Sequence, residues 1–134
     1  MTTPARIPLD LRWRDLDAFG HLNNASTVSL FEEGRIRWLT QLLPEWGELD
    51  SAPVLAAITV NYRQPVHYPQ ALVVELQATR IGSSSVTLGQ RLLTAAGAVH
   101  ADGEVVLVWV ERASGKPSPL PPILRQRFEA TQAG

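Results

Sequence analysis

The chain has 134 residues, 45% hydrophobic and 19% charged, with a formal net charge of −1 and no cysteine. That length and balance predict one globular domain over residues 1–134, able to bury about two thirds of its unfolded surface. The near-zero charge excludes a broad basic field for nucleic acid or an anionic membrane, and the missing cysteines exclude disulfides, thiolate nucleophiles and Cys-type zinc sites.

The opening "MTTPARIPLDLRW" lacks the apolar stretch of a signal peptide, and no run approaches the roughly 18 apolar residues of a membrane span. The expected setting is therefore the cytoplasm. "RIPLDLRWR" alternates, with Ile7, Leu9, Leu11 and Trp13 on one face and Arg6, Asp10, Arg12 and Arg14 on the other. This predicts a half-buried strand, and Pro8 on its polar side predicts an edge or end position. A loop follows. From about Asn24 the period changes. Val28, Phe31, Trp38 and Leu42, flanked by Leu30, Leu39 and Leu43, mark a helix of about five turns. Asn23 or Asn24 is its N-cap, and Pro44 stops it.

After "PEWGELDSAP" the remaining pattern is mainly strand. "VLAAITVNYRQPV", "ALVVELQATRI", "VTLGQRLLTA" and "VHADGEVVLVWVER" are four strands joined mainly by short turns, which predicts consecutive antiparallel neighbours. Asp102-Gly103 predicts a bulge. "ILRQRFEA" predicts a short terminal helix. One antiparallel sheet of about five strands with one long helix against a face is α+β.

The loop and helix start, "RDLDAFGHLNNAST", carry the chemistry. A helix N-terminus presents unpaired N–H groups and a partial positive charge, so it can hold the oxyanion formed when a carbonyl is attacked. A carboxylate a few residues upstream can attack that carbonyl or take a proton from water. Asp15, two positions from Asp17, is expected to bond loop N–H groups. His21, His67 and His100 lie far apart in sequence, which is a thin case for a metal site, and no G-x-S-x-G elbow surrounds Ser26 or Ser29. Glu32, Glu33 and Arg35 fit helix-surface or subunit-contact charges. Gly34, mid-helix, is expected to permit close packing against the sheet or a second subunit.

"RWRDLDAFGHLNNAS…FEEGR" resembles the signature of the 4-hydroxybenzoyl-CoA thioesterase family of hotdog-fold enzymes, D-x-x-G-H-x-N-N. Asp17, Gly20, His21, Asn23 and Asn24 fill it. "NYRQPVHYP", "TRIGSSSVTL" and "VLVWVERASGKPSPLP" resemble the family's later segments in order, so the likeness runs from about residue 6 to residue 128. The resemblance implies a hotdog fold that hydrolyses an acyl-CoA, with no cofactor beyond the coenzyme A of its substrate and no metal. It implies Asp17 as catalytic carboxylate, the N–H near Asn24 as oxyanion donor, His21 beside them, and Gly20 and Asn23 shaping the turn around substrate. It also implies a homodimer or homotetramer with the pocket between subunits. Thr27 and Leu30 stand where the family often has aromatics, so acyl preference does not carry over. For the coenzyme A phosphates the chain offers Arg80 with the small turn Gly82–Ser85, Ser83 and Ser84 foremost, plus Arg63, Arg91 and Arg112. In other hotdog enzymes a helix glutamate is catalytic, which keeps Glu32 and Glu33 as secondary candidates. Two alternatives stay open: a hotdog dehydratase or hydratase, and a non-catalytic acyl-thioester binder.

Overall fold

The computed structural model describes residues 3–132. Seven elements follow in order: β1 (Ala5–Asp10), α1 (Asn24–Leu42), β2 (Ser51–Tyr62), β3 (Ala71–Ile81), β4 (Ser85–Thr94), β5 (Val99–Glu111) and α2 (Pro122–Thr131). Single 3₁₀ turns occupy Trp13–Asp15 and Trp46–Glu48. The strands form one antiparallel sheet in the order β1-β3-β4-β5-β2. This is the α+β arrangement expected from the pattern, and the hotdog fold that the resemblance implies. No helix among the described residues is long and apolar enough to cross a membrane.

The order departs from the sequence reading at one joint. β2 is not the neighbour of β3; it pairs with β5 at the far edge. The cause lies in residues 63–70, "RQPVHYPQ". The Arg63 and Gln64 N–H groups both turn to the carbonyl of His100 (2.8 and 3.2 Å), and Pro65 follows with no N–H to continue a ladder. The chain therefore leaves the sheet and returns beside β1. Pro8 lies on edge strand β1, exposed opposite Val73, where its missing donor faces no ladder.

The expected bulge at Asp102-Gly103 is absent, and both residues pair regularly with β2 and β4. The register shifts fall elsewhere, between Leu55 and Ala57, between Ala78 and Arg80, and between Leu92 and Leu93. The last leaves His100 as the extra residue, with Ala101 opposite Leu92 and Val99 opposite Leu93. At the second, the Ala78 N–H is taken up by the Thr131 hydroxyl at 3.0 Å, which ties α2 to the sheet.

The core lies between the sheet and α1. Phe31, Val74, Leu76, Val86, Leu92, Val105 and Phe128 are fully buried. Trp38 and Trp109 close on Phe128 with ring centroids 5.5 and 6.1 Å apart, so α2 seals one end. Two sequence expectations fail at this layer. Trp13 is 74% exposed rather than inward-facing, because β1 ends at Asp10 and the 3₁₀ turn breaks the alternation. Arg35 is buried rather than on the helix surface: it falls on the same stripe as Phe31 and Trp38, and its guanidinium reaches the Gln90 side-chain oxygen at 3.1 Å. That burial lowers its pKa, with the charge of Glu32 opposing.

Gly34 packs against the sheet. A Cβ there would stand 2.7 Å from Val74 Cγ1 and 2.8 Å from Val74 Cβ, and Val74 has nowhere to move. Gly34→Ala is thus expected to lose about 1–3 kcal/mol of stability to overpacking, more than the roughly 1 kcal/mol that helix propensity returns. Urea denaturation checks the sign, and adding Val74→Ala should recover part of the loss.

Candidate active site

The site is built by a short loop, the start of α1, and the ends of β2 and β5. The loop is closed by Leu16 pairing with Leu22, by the Asp17 N–H donating to the His21 carbonyl (3.0 Å), and by the Gly20 N–H donating to the Asp17 carbonyl (3.1 Å). Gly20 takes φ +82°, which a side chain resists. The motif spacing D-x-x-G thus sets a tight turn. Asn23 is the N-cap: its side-chain oxygen accepts from the Ala25 N–H at 2.8 Å and the Ser26 N–H at 3.4 Å. That leaves the Asn24 N–H, the first of the helix, with no acceptor among the described residues. Tyr62 donates its hydroxyl to the Asn24 carbonyl at 2.8 Å, fastening the end of β2 to the helix start.

Asp15 and Asp17 have different surroundings. Asp15 is buried and accepts from the Arg12 backbone N–H and guanidinium, each at 2.9 Å. Its backbone carbonyl accepts from the Asn23 N–H, so it supports the cap residue. Burial alone would raise its pKa, but the hydrogen bonds and charge of Arg12 prevail and hold the carboxyl below its ordinary range. A depressed carboxyl stabilises the fold above its unfolded value and loses that contribution as pH falls through the folded one. Asp15→Asn is therefore expected to lower Tm at neutral pH, and to lower it progressively less below about pH 4. Thermal scans across pH 3–7 against wild type check this.

Asp17, by contrast, has no cation bonded to it among the described residues. One carboxylate oxygen accepts from the Phe19 N–H at 2.8 Å. His21 Nδ1 stands 4.0 Å from that same oxygen, beyond hydrogen-bond reach. The His21 ring lies edge-on to His67, centroids 6.0 Å apart, and stacks on exposed Phe19 at 6.2 Å.

A cavity of about 290 Å³ opens beside the helix start. His21, Asn24, Thr27, Tyr62, Leu92 and His100 are among its walls. The structure thus brings His21, Asn24 and Arg63 to one cavity, while Asp17, Gly20 and Asn23 stay on the adjoining loop and do not line it. Arg80, Ser83 and Ser84 are not brought to it within this chain. Their turn sits at the opposite end of β4, seven residues or about 24 Å from Leu92. There the Ser83 and Ser84 carbonyls accept from the Leu120 and Trp109 N–H groups, and Arg125 donates to Gly82 and Ser83. Of the other candidate cations, Arg63 pairs with Asp102 at 3.0 Å, Arg91 with Glu75 at 2.9 Å, and Arg112 with the Leu49 carbonyl at 2.7 Å. Hydrogen bonding from Arg63 also lowers the Asp102 pKa. Glu32 and Glu33 line a separate surface groove with Ser26, Ser29 and Arg37. Among the described residues no three His, Asp or Glu side chains come together as a cation site.

Most of the cavity residues escaped the sequence reading, Tyr62, Thr27 and His100 among them. Tyr62 read only as a strand position, Thr27 as a departure from the family pattern, and His100 as one of three scattered histidines. The bulge that places His100 has no local signal, since no glycine or proline marks it.

An antiparallel five-stranded sheet wrapped about one long helix, with a carboxylate turn at that helix's mouth, defines the hotdog class of thioester-handling proteins. The chain belongs to the Thioesterase-like superfamily, whose family model matches residues 11–128. It is similar to a thioesterase from Thermus thermophilus solved in complex with coenzyme A and Zn: 36% identity, TM-score 0.80, covering 94% of this chain and 92% of that one. It is also 28% identical to the acyl-CoA thioester hydrolase YbgC of Escherichia coli O157:H7 (96% of this chain, 98% of that one). To the long-chain acyl-CoA thioesterase FadM of Escherichia coli K12 it is 27% identical, over 90% and 94% of the two chains.

Proposed function

We propose that the chain is a single-domain acyl-CoA thioesterase, hydrolysing an acyl-CoA to the free acid and coenzyme A. The observation that carries this is the uncommitted Asn24 N–H, at the positive end of α1, on a cavity beside a turn whose half-buried carboxylate has no cation bonded to it among the described residues. The thioester carbonyl would sit with its oxygen toward that N–H, which stabilises the oxyanion as it forms. Asp17 would add to the carbonyl carbon itself or take the proton from an attacking water. The C–S bond then breaks and the thiolate leaves, taking up a proton; if Asp17 itself added, a water then hydrolyses the acyl–aspartyl anhydride, releasing the free acid and restoring the carboxylate. Asn23 keeps the N–H row aimed, and Gly20 permits the turn. His21, between Asp17 and the cavity, is placed to orient the carboxylate or the carbonyl. The acyl-CoA activities of the relatives YbgC and FadM support the same reading.

The site is incomplete in one chain, and a second copy would complete it. β2 is an edge strand whose Val54 and Leu55 are 46% and 48% exposed, an edge that natural sheets cover. Two-fold antiparallel pairing along β2 would bring the partner's Gly82–Ser85 turn to the end of the sheet where this chain's α1 begins. Arg80, Ser83 and Ser84 would then meet the coenzyme A phosphates from across a dimer, in a homodimer or a tetramer of two such pairs. The test is thiol release from short, long and aromatic acyl-CoAs. Release from at least one supports the proposal; none from any would sink it.

A further inference from the structure

The cavity beside α1 has on its wall a buried polar side chain that this chemistry leaves unused and unpaired. His100 is 8% exposed, and neither ring nitrogen has a hydrogen-bond partner among the described residues. Whatever its tautomer, an imidazole carries at least one N–H, so a donor is buried unpaired. Such a group destabilises the fold if nothing ever satisfies it. Its placement is also specific. His100 is the extra residue of the β5 bulge, and its carbonyl is pinned by the N–H groups of Arg63 and Gln64. Bulges commonly re-aim a side chain beside a site. Around it the cavity wall includes apolar Leu22, Val66, Leu92 and Ala101, while the polar side chains of Thr27, Tyr62, Arg63 and Gln64 on the same wall already donate to the Asn23 carbonyl, the Asn24 carbonyl, Asp102 and the Val99 carbonyl, so His100 is the buried group there left to be paired.

We propose that His100 is a specificity-determining residue that favours acyl groups bearing an oxygen substituent, a hydroxyl or a carbonyl, which pairs with the imidazole when the acyl group fills the cavity. This rests on the thioesterase reading. The required motion is a turn of the ring about χ2, a broad and low-cost torsion in histidine. The logic is asymmetric. A plain acyl chain fills the same space but leaves the imidazole unpaired, whereas an oxygenated one satisfies it.

The test compares kcat/KM for matched substrates: four- and six-carbon acyl-CoAs with and without a chain hydroxyl, and benzoyl-CoA with and without a ring hydroxyl. Wild type, His100→Leu and His100→Gln are measured side by side, each with a Tm. Wild type is expected to favour the oxygenated member of at least one pair by about tenfold or more. In His100→Leu that ratio should collapse toward one, with Tm unchanged or raised, because an unpaired polar group has been replaced by an apolar one. His100→Gln should retain part of the preference, and it decides the matter if the leucine variant does not fold. Hydrolysis with no preference in any pair would overturn this proposal alone, as would a preference that survives both substitutions. No thiol release from any substrate would overturn the thioesterase reading and this proposal with it.

Discussion

Asp17→Asn is expected to slow thiol release by about 10²–10⁴-fold, the range a positioned proton-transfer group contributes, while the protein remains folded. Asparagine fits because the one bond the carboxylate makes is accepted from the Phe19 N–H, and an amide oxygen accepts it equally well. The Leu16–Leu22 pairing and the backbone bonds between Asp17 and His21 do not involve the side chain. The change therefore removes the negative charge and the nucleophilic oxygen and little else. Asp15 is the natural control. It is also a carboxylate in the loop, but the Arg12 backbone N–H and guanidinium occupy it, so its loss should appear in Tm. The measurement is kcat and KM for the best acyl-CoA, with Tm for each variant. A loss confined to kcat at unchanged Tm supports Asp17 as the catalytic carboxylate. Wild-type kcat in Asp17→Asn would leave Asp17 a turn residue, and Glu32 and Glu33 would be tested next.

Most of the architecture was legible because period is a local property. The alternation in β1, the helical stripe of α1 and the short turn between β3 and β4 are each written in contiguous residues. Strand order was not legible where it depends on a connection. Residues 63–70 contain turn residues, but their sequence does not say that two N–H groups will bond His100 and carry the chain across the sheet. Arg35 shows a second limit. A charged residue on a buried stripe is read as surface until its partner, Gln90, comes from a strand 55 positions away.

The site divides in the same way. The turn and the cap sit within eight contiguous residues, Asp17 to Asn24, and the local bonds that join them follow from their spacing. The cavity does not. Tyr62 and His100 reach it only through pairing of β2 with β5 and the bulge opposite Leu92–Leu93, both long-range events. The phosphate-binding candidates Arg80, Ser83 and Ser84 show the converse. The segment resembles the family's, yet its distance from the cavity in one chain makes their role depend on a second.

Gly103→Ala is expected to be the most damaging small substitution in the chain, costing about 3 kcal/mol or more. A Cβ at that position would lie 1.9 Å from the Thr59 carbonyl oxygen, 2.8 Å from its carbon and 3.1 Å from Val60 Cα. All three are backbone atoms of the paired strand, so no rotamer change relieves the overlap. Strand β2 must move away from β5, which weakens the ladder that runs from Ser51 to Tyr62. The expected bulge at this position and the observed glycine thus have different causes: the register is regular, and the missing side chain lets two backbones approach. The damage should reach the site, because β2 ends at Tyr62, whose hydroxyl holds the Asn24 carbonyl at the mouth of α1. Urea denaturation should show the lost stability. In whatever fraction remains folded, kcat/KM should also fall, since the helix start has lost its tether. A variant with wild-type stability would mean that the two strands accommodate a methyl group, and the close approach of Gly103 to Thr59 would then have no energetic role.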